Sequence, residues 1–214
     1  MMKYFFAIAL IIVGCKSEKR YHVDVNESSI VLIDSVDYKS GMLLHRANLD
    51  QEFKTPEKSP LSDIGRSDFK ELNYFPIDST YRITAMLELT PNEQPFLMPT
   101  TTERKSREVK YGILHFNLNG KERQLSVYKN LELNEKEGYE DYLFLPFTDQ
   151  TNGSETYGGG RYLDLRIPKS DTLIIDFNKA YNPYCAYNKK YSCPIVPSEN
   201  DLQTEVRAGV KKYK

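Results

Sequence analysis

The sequence predicts a mainly β fold: an antiparallel sheet forming a sandwich or partly closed barrel, with a short N-terminal helix and an ordered Tyr/Pro-rich C-terminal segment. Three observations carry this expectation. Apolar and polar residues alternate from Tyr81 to Leu89, Asn119-Gly120 joins two strand-like runs, and further short runs at 141–147, 161–167 and 172–177 are separated by turn residues.

The chain opens with Lys3 and an apolar run from Tyr4 to Val13 that ends in Gly14-Cys15. That run is about half the roughly 20 residues an apolar helix needs to cross a bilayer, and a small residue before Cys is where lipoprotein processing cuts. A signal peptide over residues 1–14 is expected, with Cys15 as the first mature residue, lipidated (palmitate) and anchored to a membrane of the bacterial cell envelope, facing the periplasm or exterior. An ordinary signal peptide and an uncleaved short anchor are the competing readings. Residues 15–29 read as a polar tether and 30–214 as a single β-rich domain.

From Ile30 to about Lys54, Leu43, Leu44, Ala47 and Leu49 lie close to helical spacing, and Pro56 and Pro60 end the helix. Residues 63–72 have room for another turn or two. The period then becomes two: Tyr81, Ile83, Ala85, Leu87 and Leu89 mark one buried strand face. His115 to Leu118 and Lys121 to Tyr128 form a hairpin, because Asn119-Gly120 supplies the positive φ values of a type I′ turn. Three more strands follow, the last two joined by Pro168-Lys169-Ser170-Asp171. Nine of the sixteen tyrosines lie from Tyr139 onward, which makes the end of the chain too aromatic for a disordered tail.

With 29 Lys+Arg against 30 Asp+Glu, the chain lacks the clustered basic excess that phosphate binding requires, so no nucleic acid partner is expected. Outside the cytoplasm disulfides persist, and Cys185 and Cys193 are expected to form one. Free thiols or a metal are the alternatives, although zinc usually takes three or four protein ligands. No cofactor and no metal site are expected.

The densest polar stretch runs from Asp149 to Arg161. Gly158, Gly159 and Gly160 let backbone N–H groups approach an anion, with the Arg161 guanidinium beside them and Tyr157 as a wall. A tight turn with Arg161 paired to a structural carboxylate is the competing reading. Alternation puts Tyr162, Asp164 and Arg166 on one strand face and Leu163, Leu165 and Ile167 on the other. A hairpin with the following strand would add Asp176 and Asn178 to the same end of the sheet, near the glycine loop, and Asp164 and Asp176 are then the candidate acid and base. A buried structural network is the alternative. The Gly-x-Ser-x-Gly elbow, the P-loop ending and the spacing of a calcium loop are all missing, and His22, His45 and His115 are scattered without a marked nucleophile.

Phe144-Leu145-Pro146-Phe147-Thr148-Asp149, Glu155-Thr156-Tyr157-Gly158-Gly159-Gly160-Arg161-Tyr162-Leu163-Asp164, Asp176-Phe177-Asn178-Lys179-Ala180-Tyr181-Asn182-Pro183, Cys185-Ala186-Tyr187-Asn188 and Cys193-Pro194 follow in order. Pro197, Glu199-Asn200 and Arg207-Ala208-Gly209 continue the series, and Ser59-Pro60-Leu61 and Leu72-Asn73-Tyr74-Phe75-Pro76 precede it. This succession resembles the bacterial and archaeal domain-of-unknown-function family number 1684. The resemblance implies one domain and draws attention to Tyr157–Asn200, but it brings no activity, substrate or cofactor. The family's Ala-Gly-Glu ending is Ala208-Gly209-Val210 here, so no acid carries over to position 210.

The function expected from these readings is a lipid-anchored envelope protein that binds a small polar or anionic ligand. The ligand site would comprise Tyr157, Gly158, Gly159, Gly160, Arg161, Asp164, Asp176, Asn178 and Tyr181. A hydrolase or transferase using Asp164 and Asp176, and a module that docks onto another envelope protein, are the alternatives.

Overall fold

A computed structural model describes residues 27–213, with side chains from Asp37 onward. The signal peptide, Cys15 and all of the tether before Glu27 lie outside the described residues. One antiparallel sheet dominates the fold: β1 (Arg82–Leu89), β2 (Phe96–Pro99), β3 (Lys105–Leu118), β4 (Lys121–Asn130), β5 (Tyr142–Phe147), β6 (Arg161–Arg166) and β7 (Thr172–Asp176). The strand order is β6-β5-β4-β3-β1-β7, with β2 also paired to β3, and the sheet curls into a half-barrel. The mainly β, partly closed barrel read from the sequence is the observed architecture.

The β3–β4 hairpin turns on Asn119 and Gly120, at φ 54° and 75°, as a type I′ turn requires. Two features were not legible beforehand. β2 is a new short strand, and β3 begins ten residues before the predicted His115. Its first part, Lys105-Ser106-Arg107-Glu108-Val109-Lys110, lacks apolar alternation because its buried positions, Ser106 and Glu108, are polar. Its N-terminal part pairs with β2 and its C-terminal part with β1, while β4 runs along nearly the whole strand.

The register along β3 shifts between Lys110 and Gly112. A bulge inserts one residue and so swaps the faces of everything beyond it. Leu114, Phe116 and Leu118 therefore join the inner core with Leu125, Val127, Phe147, Leu163 and Phe177. Ser106 and Glu108, of the same parity, bury on the opposite side of the sheet. Position 112 must be glycine: a Cβ there would lie 2.6 Å from the Glu88 carbonyl oxygen and 2.7 Å from a Leu87 methyl.

Helix α1 (Glu27–Lys54) is the expected N-terminal helix, beginning three residues before Ile30, and α2 (Asp63–Ser67) is a brief turn capped by Ser62. α1 packs through Met42 and Phe53, both buried. Arg46 donates to the Phe75 carbonyl at 2.9 Å and lies over the Tyr74 ring, while Asp50 accepts from Leu72 N–H at 2.8 Å. The chain after β7 returns to the far end of the strand order, where Tyr181 and Tyr162 exchange backbone hydrogen bonds. Further on, Asn200 bridges a gap between β4 and β5, which pair only at Tyr128 and Phe144. Its side chain accepts from Ser126 N–H at 2.8 Å and donates to the Ser126 and Pro146 carbonyls at 2.8 and 2.6 Å. A side-chain amide thus replaces a missing backbone ladder.

The close approach at the bulge predicts that Gly112→Ala lowers stability by about 1–3 kcal/mol. Gly41→Ala, on an exposed turn of α1 with no atom within 4 Å of the added Cβ, should raise it by about 0.5–1 kcal/mol. Urea unfolding midpoints of the two variants test the pair, which should move in opposite directions.

Candidate functional site

The outer face of the sheet carries a second cluster, Met98, Tyr128, Phe144 and Tyr162, and beside it opens a cleft of about 560 Å³. Register builds its floor. Glu108 faces Asn130 across β3–β4, and Phe144 faces Asp164 across β5–β6. α1 supplies one wall through His45, Leu49, Glu52 and Phe53, and the segment after Asn182 supplies another through Tyr184, Tyr187 and Tyr191. Counting Tyr142, Tyr162 and Tyr181, six tyrosines line the space.

Two carboxylates on the floor differ in environment. Asp164 is exposed to the cleft, and its Oδ1 accepts from the hydroxyls of Tyr142 at 2.8 Å and Tyr181 at 2.7 Å. Burial, and then that carboxylate, push both phenols well above their ordinary pKa. Glu108 is 1% exposed. Its Oε1 accepts from Ser106 Oγ and Asn130 Nδ2, both at 2.6 Å, whereas its buried Oε2 has no partner. Burial raises the Glu108 pKa against the opposing pull of those two donors. Among the cations, Arg104 is tied to Ser192, donating to Oγ at 3.2 Å and to the carbonyl at 3.0 Å. His45 is shifted toward its neutral form by burial and by nearby Lys179.

The residues expected to form one ligand site are divided among four places. Asp164 and Tyr181 line the cleft. Arg161 does not: it is fully buried, over the Phe147 ring, with its guanidinium donating to Asp149 Oδ2 at 2.8 Å, to the Val206 carbonyl at 2.7 Å and to the Ala208 carbonyl. The reason was already present in the alternation, since Arg161 shares the parity of Leu163 and points into the core. Gly158, Gly159 and Gly160 make the turn into β6. At Gly160 the backbone is left-handed, φ 89°, and a Cβ would strike Val196 and the Phe147 carbonyl, so this glycine serves packing.

Asp176 and Asn178 sit elsewhere because β6 and β7 terminate opposite ends of the strand order and form no hairpin. Asp176 accepts from Tyr38 Oη at 3.0 Å, and Asn178 clamps Asp78, accepting its N–H at 3.0 Å and donating to its carbonyl at 2.7 Å. Asp164 and Asp176 therefore do not assemble as an acid–base pair. Tyr157 turns away to a fourth location, its hydroxyl 3.8 Å from Cys185 Sγ.

Cys185 and Cys193, expected as a disulfide, are two free thiols held together by hydrogen bonds. Cys185 N–H donates to Cys193 Sγ at 3.2 Å. The Cys193 thiol, donating to its neighbour, is the main reason the Cys185 pKa falls to about 6, with Tyr157 assisting and burial opposing. The same bond and burial push Cys193 up.

The sequence reading missed Glu108, Asn130, Tyr142 and His45 as site residues. Only Tyr142 carried a readable signal, its place on β5. Glu108 and Asn130 meet because of a register shift, and His45 because a helix packs across a sheet. Among the described residues, no group of three or more His, Cys, Asp or Glu side chains is placed to hold a metal ion, and no helix is long and apolar enough to cross a membrane.

Two predictions follow from this geometry. Replacing Arg161 with Met leaves Asp149 charged, buried and unpaired, and should cost about 3–5 kcal/mol of stability in chemical denaturation. Alkylation of Cys185 by iodoacetamide should rise through a pKa of about 6 and level off above it as the thiolate fills, with Cys193 unreactive over the same range. Peptide mass mapping at a series of pH values reads both thiols at once.

A family model described as "Protein of unknown function (DUF1684)" matches residues 67–211. The solution NMR structure of the uncharacterized protein from gene locus rrnAC0354 of Haloarcula marismortui is similar, with a TM-score of 0.64 and 33% identity over 83% of this chain and 96% of that one. No curated protein matches the chain. A match over most of the sequence, with a related fold at this identity, places the chain in family DUF1684.

Proposed function

We propose that this chain is a lipid-anchored protein of the bacterial cell envelope whose cleft binds a small polar ligand. The observation that carries the binding half is the cleft itself. Its volume lies within the range of small-molecule sites, and it combines aromatic walls with a few convergent polar groups. Asp164, steadied by two tyrosine hydroxyls, would orient the ligand, while the rings of Tyr184, Tyr187 and Tyr191 would cover it. The anionic alternative loses its main support, because the guanidinium expected to hold an anion is committed to Asp149 in the core.

The anchoring half rests on Lys3, the apolar run and Gly14-Cys15. The membrane would be reached through the lipid on Cys15. In an oxidising compartment the adjacent Cys185 and Cys193 thiols would be open to conversion into a disulfide.

Native mass spectrometry of the mature protein purified from its own host should reveal a reproducible bound mass that disappears in Asp164→Asn. A domain that is empty in every preparation overturns the binding reading. Cys15→Ala should move the protein from the membrane to the soluble fraction and abolish palmitate labelling. Unchanged fractionation and labelling overturn the anchor. Intact mass with and without reductant reports the disulfide as a difference of two hydrogens.

A further inference from the structure

We infer that the ligand of this cleft is a small organic ammonium compound with an apolar body, its ammonium seated between Glu108 and Asp164. This inference rests on the binding reading above and adds the ligand's charge and hydrogen-bonding class.

The polar floor of the cleft is rich in acceptors and poor in free donors. An ionised carboxylate only accepts, so the hydroxyls of Tyr142 and Tyr181 must both donate to Asp164 Oδ1. With their protons committed, both phenol oxygens offer lone pairs. Glu108, which lines the cleft, has spent Oε1 on Ser106 and Asn130, leaving Oε2 buried and without a partner. An orphaned buried carboxylate oxygen is costly, and a ligand donor removes that cost. The donors that protein side chains might have supplied are engaged elsewhere or stand at the edge: Arg104 is bonded to Ser192, and Lys179 is exposed to solvent.

An ammonium group fits this surface better than the other small polar groups. It brings three donors and no acceptor, whereas a hydroxyl brings one donor along with acceptor lone pairs, and a carboxylate brings only acceptors to a floor already full of them. Its charge also matches the two floor carboxylates and Glu52 on α1, and it is attracted to the tyrosine faces that form the walls. Bound there, the cation favours the ionised form of Glu108, which burial alone disfavours.

The test uses three probes that share one phenethyl body on the mature chain: phenethylamine, phenethyl alcohol and 3-phenylpropionate. Binding is read by calorimetry at one pH and low salt. The amine alone should bind, with affinity falling about tenfold or more in Glu108→Gln, which removes a charge-assisted bond while preserving shape and the Ser106 and Asn130 contacts. Asp164→Asn, a change at an exposed position, provides a second variant that should fold and should also weaken the amine. If the alcohol or the carboxylate binds as well as the amine, or if the amine binds Glu108→Gln and Asp164→Asn undiminished, the ammonium inference fails while the cleft remains a ligand site. If none of the three binds, the inference fails, and native mass spectrometry then decides separately whether the cleft holds a ligand of another class.

Discussion

The buried pair of Arg161 and Asp149 organises much of this fold because it holds backbone that no strand could hold. After β7 the chain runs to its end almost without regular structure, and its buried carbonyls and N–H groups need partners. Arg161 donates to the carbonyls of Val206 and Ala208, while Asp149 accepts the Val206 N–H at 3.3 Å as well as the guanidinium. Thr151 completes the carboxylate through its N–H at 2.8 Å and its hydroxyl at 2.5 Å. A buried ion pair by itself is weak evidence of stability. Here its importance lies in its hydrogen bonds, which convert an irregular segment into a fixed layer over the sheet.

Asn200 and Asn178 do the same on a smaller scale, one between β4 and β5 and the other against Asp78. This explains why a stretch with so little secondary structure buries Leu202, Val206, Ala208 and Val210 almost completely. It also explains why the cleft has a firm wall. Tyr184, Tyr187 and Tyr191 project from a segment already tied down on both sides, and edge-to-face contacts of Tyr187 with Phe53 and Tyr213 fasten that wall to α1 and to the chain's end.

The bulge before Gly112 makes the second decisive contribution. By reversing the faces of β3 it lets one strand serve the apolar interior with Leu114 and Phe116 and the polar floor of the cleft with Ser106 and Glu108. The result is a sheet with two working faces, one filled by core and the other partly open. Glu108 lines the open part and keeps one buried oxygen unmatched, where a native interior seldom leaves a polar group alone. The thiol pair lies near the same wall, with Cys193 lining the cleft and Cys185 turned toward Tyr157.

The sequence by itself determined what depends on neighbours along the chain. Period-two alternation identified β1, Asn119-Gly120 identified the hairpin, short apolar runs identified β5 to β7, and an ordered run of motifs identified the family. It also contained the parity of Arg161, which argued for the core even as the adjoining glycines suggested an anion cradle. Only the tertiary structure decided which polar residues meet. Strand order parted Asp164 from Asp176, a register shift brought Glu108 against Asn130, and helix packing carried His45 to the cleft. Local pattern reports the face on which a side chain lies, because backbone geometry repeats every two or 3.6 residues. The partner across that face is set by register and strand order, which arise from contacts between residues far apart in the chain.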